Sequence, residues 1–131
     1  MANAGLLIKT MIKGIGVDII EISRIFDAVK HFGDKFLDRV YTKHEQVYCK
    51  KFRTLKFPEL AVRFAAKEAY AKALGTGMRG IHWKQIGVVN DKRGKPQIAF
   101  ESKLQKNVHI SLSHSDNFAV AYVVIEENEE N

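Results

Sequence analysis

The feature that most constrains the fold is a helical run between positions 57 and 74. Six of the thirteen residues from 61 to 73 are alanine, the residue with the highest helix propensity. Pro58 suits the first turn of a helix, and Gly75 suits the position just after its end. We therefore predict one long helix that begins near Pro58 and ends at Leu74.

A second strong pattern lies upstream of this helix. Residues 12–20 form an apolar, β-branched run that is typical of a strand. Because the side chains of a strand alternate between two faces, Asp18 shares its face with Gly14 and Gly16. Neither glycine has a side chain, so we expect the Asp18 carboxylate to be accessible on that face.

The rest of the chain is predicted to form short helices and then strands. Thr42 and Glu45 have the spacing of a capping box, and Gly33 ends the helix before them. The predicted helices cover 24–31, 34–40 (as a helix or a turn), 43–53 and 101–106. The predicted strands cover 84–90, 96–100, 108–115 and 118–125. This order predicts an α+β fold, with one long helix and several shorter ones packed on a largely antiparallel sheet.

The length of 131 residues suits one domain rather than two. We predict a single domain over 11–125, a flexible N-terminal extension over 1–10 and an acidic tail over 126–131. The one cysteine, Cys49, allows no intrachain disulfide and excludes a cysteine-rich zinc site. No apolar run approaches the roughly 20 residues that a membrane-spanning helix needs, so we expect no membrane partner and a cytoplasmic location.

Charge indicates an anionic partner. The formal net charge is +6, and without the four glutamates of the tail it would be +10. A basic surface attracts nucleic acid, anionic lipid or an acidic protein, and charge alone does not choose among them.

Glu68 and Lys72 lie one helical turn apart on the same face of the long helix. Such a pair is commonly an exposed ion pair that stabilises a helix by a few tenths of a kcal/mol. Asp18 adds a second possibility, because a carboxylate in an apolar strand needs a partner or a metal. Asp18 and Glu68 together match the one or two carboxylates with which proteins commonly bind Mg²⁺.

Two motifs of this chain resemble those of the phosphopantetheinyl transferases. The strand motif is Gly16-Val17-Asp18, and the helix motif is the nine-residue run FAAKEAYAK from Phe64 to Lys72. The small synthases of this family also share RFAAKEA, GTG, GKP and SLSHS, which occur here at 63–69, 75–77, 94–96 and 111–115. The resemblance covers nearly all of the chain from Met11 to Ile125.

This resemblance implies transfer of 4′-phosphopantetheine from coenzyme A to a serine of apo-acyl carrier protein, in support of fatty acid biosynthesis. Asp18, Glu68 and Lys72 would be catalytic, with Mg²⁺ on the two carboxylates and Lys72 on the phosphates. The implied coenzyme A contacts are Lys72, Gly75, Thr76, Gly77, His114 and Ser115. Arg24 would contact the carrier protein, and the chain would form a homotrimer with active sites between subunits.

From pattern alone, plainer roles remain open for several of these residues. Gly75-Thr76-Gly77 is a simple helix C-cap by its position, and a helix C-terminus has the wrong polarity for phosphate. His114 has the strand parity of a residue at the edge of the core, and Arg24 suits a solvated charged face.

Two other functions compete with the transferase. The basic region 24–56 could bind nucleic acid, although its aromatic residues are spaced as in helix cores and no known binding motif occurs. The chain could also be an inactive scaffold that keeps the fold only for protein contacts. We expect the transferase and no nucleic-acid partner.

Overall fold

The computed structural model describes the backbone of residues 8–130 and the side chains from Lys9 to Glu127. The helices are α1 (Ile22–Phe32), α2 (Asp34–Val40), α3 (Lys43–Tyr48) and α4 (Phe57–Leu74). The strands are β1 (Ile8–Glu21), β2 (Lys50–Lys51), β3 (Thr54–Leu55), β4 (Ile86–Asn90), β5 (Pro96–Phe100), β6 (Lys103–Leu104), β7 (Val108–His114) and β8 (Phe118–Glu130). This mixed, antiparallel architecture confirms the predicted α+β fold.

The main sheet has the order β1-β8-β7, and both pairings are antiparallel. One face of this sheet is covered by α4, whose buried residues belong to the same hydrophobic core as Ala119, Ala121 and Val123 of β8. In the register of the sheet, Asp18 lies opposite Ala121. Asp18 therefore lies toward the C-terminal end of β1, with only Ile19, Ile20 and Glu21 paired after it.

The prediction for α4 is confirmed at both ends. Pro58 lies in its first turn, and Gly75 follows its last residue with a φ of 88°, in the left-handed region. No helix in the part of the chain that the structure describes is long and apolar enough to cross a membrane.

One predicted helix is wrong in part, and another is wrong altogether. The helix predicted to reach Arg53 ends at Tyr48, and the chain then forms the small β2–β3 hairpin, closed by a 2.7 Å bond from the Lys56 N–H to the Cys49 carbonyl. The helix predicted over 101–106 is replaced by a tight turn and β6. There the Glu101 N–H donates to the carbonyl of Gln85, the residue before β4, and so does not form a hydrogen bond within a helix.

Strands β1 and β8 extend further than predicted. Ile8–Thr10 pair with 128–130, inside the segments predicted as a flexible extension and an acidic tail. The antiparallel register continues on both sides of an irregularity between Ile12 and Gly14, which keeps these backbone groups paired. Residues 1–7 and 131 lie outside the described part of the chain.

A buried ion pair fixes α4 against the shorter helices. The ammonium of Lys67 donates to Glu45 at 2.7 Å and to the Val40 carbonyl at 2.6 Å, and neither charged side chain is exposed to solvent. Glu45 also accepts bonds from the backbone N–H groups of Thr42 and Val88. Because every charge in this cluster has partners, the ion pair is a fixed crosslink between α4, α3 and β4.

Candidate active site

Asp18 reaches the site through a close contact between β1 and α4. A Cβ on Gly16 would overlap the Ala69 carbonyl oxygen, and one on Gly14 would overlap the Ala73 carbonyl oxygen. The two glycines therefore let the helix backbone approach the strand. This corrects our expectation that they leave open space around Asp18, because α4 fills that space.

Glu68 lies on α4 and lines the same cavity as Asp18, a cleft of about 320 Å³. Phe36 and Phe64 supply apolar walls, and Arg24 of α1 lies at the same cavity. Burial raises the pKa of Glu68, and the negative charge of Asp18 raises it further, while Lys72 acts in the opposite direction. The fold thus brings two residues 50 positions apart within electrostatic reach of each other.

Lys72 does not form the ion pair with Glu68 that the helical spacing allows. Its ammonium donates instead to Asp18 Oδ1 at 3.1 Å and to the Val17 carbonyl at 3.0 Å. The lysine side chain is half exposed, whereas that of Asp18 is mostly covered. One cation is therefore held across the strand–helix contact, bonded to one of the two carboxylates.

The donor set fits a hard divalent cation. Within residues 8–130 no group of three or more His, Cys, Asp and Glu side chains is placed to hold a metal. Asp18 and Glu68 supply two carboxylates, and Mg²⁺ commonly completes its coordination with water and substrate phosphate. Burial and the Asp18 charge both raise the pKa of Glu68, so a cation beside the two carboxylates would favour their charged forms.

The Gly75-Thr76-Gly77 segment caps the C-terminus of α4. The Gly75 N–H donates to the Lys72 carbonyl, and the Gly77 N–H donates to the Ala71 carbonyl at 3.1 Å. This is the C-cap geometry expected from the pattern, and it places the segment directly after Lys72. A coenzyme-binding role for the three residues stays a prediction.

His114 and Ser115 lie away from the carboxylate cavity of the same chain. His114 is exposed at the end of β7 and lines another cavity, of about 270 Å³. Ser115 Oγ accepts bonds from the backbone N–H groups of Asn117 and Phe118, so it orders the β7–β8 turn. Within one chain, the structure does not bring either residue to the cavity of Asp18 and Glu68.

Arg63 is a feature that the sequence reasoning missed. Its side chain is 2% exposed and lines the His114 cavity. It donates to Glu59 at 2.7 Å and to Asn90 at 3.0 Å, and its guanidinium lies over the Tyr48 ring. Its buried Nε has no hydrogen-bond partner in the described structure. The i,i+4 spacing of Glu59 and Arg63 indicates an ion pair. The burial of Arg63 could not be predicted from the sequence, because it depends on contact with β4.

Comparison with known proteins identifies the family. The family model described as "4'-phosphopantetheinyl transferase superfamily" matches residues 14–123. The holo-[acyl-carrier-protein] synthase of Halothermothrix orenii is 46% identical over 125 residues, which cover 89% of this chain and 99% of that protein. That of Protochlamydia amoebophila is 46% identical over 120 residues, covering 87% and 98%.

Solved structures give the same result. The holo-(acyl-carrier-protein) synthase of Bacillus anthracis, in complex with CoA (3',5'-ADP), matches with a TM-score of 0.74 and 44% identity over 89% of this chain and 98% of that one. The Neisseria meningitidis synthase matches with a TM-score of 0.78 and 37% identity, over 89% of this chain and all of that one. The chain therefore belongs to the 4'-phosphopantetheinyl transferase superfamily.

Proposed function

We propose that this protein is a holo-[acyl-carrier-protein] synthase. It transfers 4′-phosphopantetheine from coenzyme A to a serine of apo-acyl carrier protein and releases adenosine 3′,5′-bisphosphate. The observation that carries the proposal is the shared cavity of Asp18 and Glu68, together with the bond that the Lys72 ammonium donates to Asp18. The relatives named above support it, since two are 46% identical over almost their full length.

The reaction is a phosphoryl transfer. The serine oxygen forms a bond to the β-phosphorus of coenzyme A, and the bond between that phosphorus and the bridging oxygen breaks. The bridging oxygen leaves with the electron pair on adenosine 3′,5′-bisphosphate. Such transfers depend mainly on positioning and on stabilisation of charge, which a basic site with a bound cation provides.

We assign the roles at the site from its geometry. Asp18 and Glu68 would bind Mg²⁺, which when bound neutralises charge on the diphosphate oxygens. Lys72, held at Asp18, supplies a further positive charge to the same phosphates. The serine proton needs an acceptor, and the two candidates are Glu68 and a water molecule on the metal, whose pKa the metal would lower.

Arg24 would receive the carrier protein. It is exposed on α1 and lines the cavity that holds both carboxylates, so a protein bound at Arg24 would place its serine beside them. Acyl carrier proteins are acidic, and the net charge of +6 favours their approach. Because acyl carrier protein is the acceptor, we propose that the protein acts in the cytoplasm and in fatty acid biosynthesis.

We propose that the working enzyme is a homotrimer. The outward face of β1 exposes Ile15, Val17 and Ile19, with exposed fractions of 59%, 52% and 64%. Tyr122 of β8 continues this apolar surface, since it pairs with Val17. A contiguous apolar surface of this kind is typical of a protein interface. A neighbouring copy could also bring its own His114 and Ser115 toward the coenzyme, because one chain keeps them apart from its carboxylates.

The test is a mass measurement on the carrier protein. Incubation of the protein with coenzyme A, Mg²⁺ and apo-acyl carrier protein is expected to add the mass of one phosphopantetheine group to the carrier. A carrier in which the acceptor serine is replaced by alanine should gain nothing. If several apo-carriers and divalent metals give no mass gain, the proposed function is wrong.

A further inference from the structure

The single tryptophan of the chain lies directly behind the candidate active site. Trp83 begins a short 3-10 turn, Trp83–Gln85, that leads into β4. Its ring stacks on that of Phe64, with centroids 4.5 Å apart and planes inclined by 23°. Phe64 lines the cavity that contains Asp18 and Glu68. Trp83 therefore supports one wall of this cavity without lining it.

The backbone of Trp83 is fixed on the same helix. Its carbonyl accepts a bond from the ammonium of Lys67 at 3.2 Å. Lys67 is fully buried and is also held by Glu45. The ring of Trp83 thus contacts α4 at Phe64, and its carbonyl contacts α4 at Lys67. Both helix residues lie within the turn that precedes Glu68.

The segment between α4 and Trp83 is anchored at both ends, and its Met78 and Ile81 also pack against the core. It covers residues 75–82 and contains three glycines with positive φ, at 75, 77 and 80. Glycine has a large backbone entropy, so such a segment needs fixed ends to keep one shape. Its first end is the C-cap of α4 at Gly75, and its second end is Trp83.

We propose that Trp83 is a positioning residue for coenzyme A. By stacking on Phe64 and accepting a bond from Lys67, it holds the 75–82 segment in the shape that receives the phosphate-bearing part of the coenzyme. The inference rests on the proposed transfer of phosphopantetheine, and on the assignment of Gly75, Thr76 and Gly77 to coenzyme binding.

The test compares three variants with the wild type. Trp83→Leu removes the flat ring and Trp83→Phe keeps one. Phe100→Leu is the matched control, because Phe100 is a partly buried aromatic residue that packs beside Tyr70, outside the carboxylate cavity. Thermal unfolding of all three measures the stability that each substitution costs.

Steady-state kinetics and calorimetry then separate positioning from stability. We expect Trp83→Leu to raise the KM and the Kd for coenzyme A about tenfold, with kcat lowered less than about twofold. Trp83→Phe should stay within about twofold of the wild type in each constant. Phe100→Leu should leave the Kd for coenzyme A unchanged, even if its midpoint of thermal unfolding falls as far as that of Trp83→Leu. If Trp83→Leu does not fold, Trp83→Met, with a flexible side chain, replaces it.

Fluorescence gives a reading that needs no variant. Because Trp83 is the only tryptophan, emission excited where tyrosine does not absorb reports the surroundings of this one ring. Titration with coenzyme A should change the emission of the wild type with the same Kd as calorimetry. A Trp83→Leu variant that binds coenzyme A like Phe100→Leu overturns the inference while wild-type transfer upholds the proposed function. A wild type that transfers nothing overturns both.

Discussion

The Lys72 ammonium lies 3.1 Å from Asp18 Oδ1, although 54 residues separate the two in the chain. The contact crosses from α4 to β1 and directs the lysine away from Glu68, its neighbour one helical turn earlier. Among the residues that the structure describes, no ammonium or guanidinium forms an ion pair with Glu68, whose pKa is raised by burial and by the Asp18 charge.

Replacement of Lys72 should weaken the use of coenzyme A. We expect Lys72→Met to lower kcat/KM for coenzyme A by about 10- to 100-fold, because a positive charge is lost beside the diphosphate. Lys92→Met, in the exposed turn between β4 and β5, is the control and should keep wild-type kinetics. Equal activity of Lys72→Met and Lys92→Met would contradict the assigned role.

The titration of Glu68 should respond to Asp18. Burial and the Asp18 charge both raise the pKa of Glu68, so Asp18→Asn is expected to lower this pKa while leaving it above its usual range. Carbon NMR of the Glu68 carboxyl in metal-free protein measures the change. Asp116→Asn, in the exposed β7–β8 turn, should leave the titration of Glu68 unchanged.

The sign of the linked stability follows from the same shift. A carboxyl whose pKa is raised by folding destabilises the protein above its folded pKa, and this cost vanishes as the pH falls below its unfolded pKa. The Glu68 contribution to the free energy of unfolding should therefore become more favourable on mild acidification. The Glu68→Gln variant should lack this pH dependence of the free energy of unfolding, and comparison with the wild type checks its direction.

Close packing at Gly16 predicts a large effect of one methyl group. Gly16→Ala would place a Cβ against the Ala69 carbonyl, and we expect it to destabilise the protein by about 3 kcal/mol or to displace α4. Gly87→Ala is the matched control, since its Cβ would meet the Thr42 methyl group at an ordinary 3.6 Å. Denaturant unfolding should show the Gly16 variant alone to be strongly weakened. Similar losses in both would refute the steric argument.

The apolar face of β1 predicts that assembly and activity fail together. Val17→Asp puts a charge in the centre of this face, and we expect it to dissociate the proposed trimer and to lower transfer strongly. Val47→Asp, at a position that is 75% exposed on α3, should keep both. Light scattering gives the mass of each variant. A Val17→Asp protein that remains a trimer would exclude this face as the interface.

Local patterns were sufficient where local chemistry decides the structure. Pro58, the alanines and Gly75 predicted both ends of α4, because helix propensity and caps act within a few residues. The chain after Tyr48 could not be predicted in this way, because distant backbone partners decide its course. The Lys56 N–H is taken by Cys49, and the Glu101 N–H by Gln85.

The candidate site shows the same division. The motifs around Asp18 and Glu68 identified the two acids and, by resemblance, the family. They could not show that Lys72 bonds to Asp18, because the helix pattern offers Glu68 equally well. The purpose of Gly16 was also hidden, since a strand sequence does not reveal which backbone will pack against it.

The pairing of Ile8 with Glu130 sets both ends of the described chain side by side on one ribbon. A short peptide linker could therefore join them, and new ends could be opened at the exposed turn around Lys92 without cutting β1 or α4. A circularly permuted protein of this kind would carry its fusion partners on a different edge, while Asp18 and Glu68 stay on uninterrupted elements.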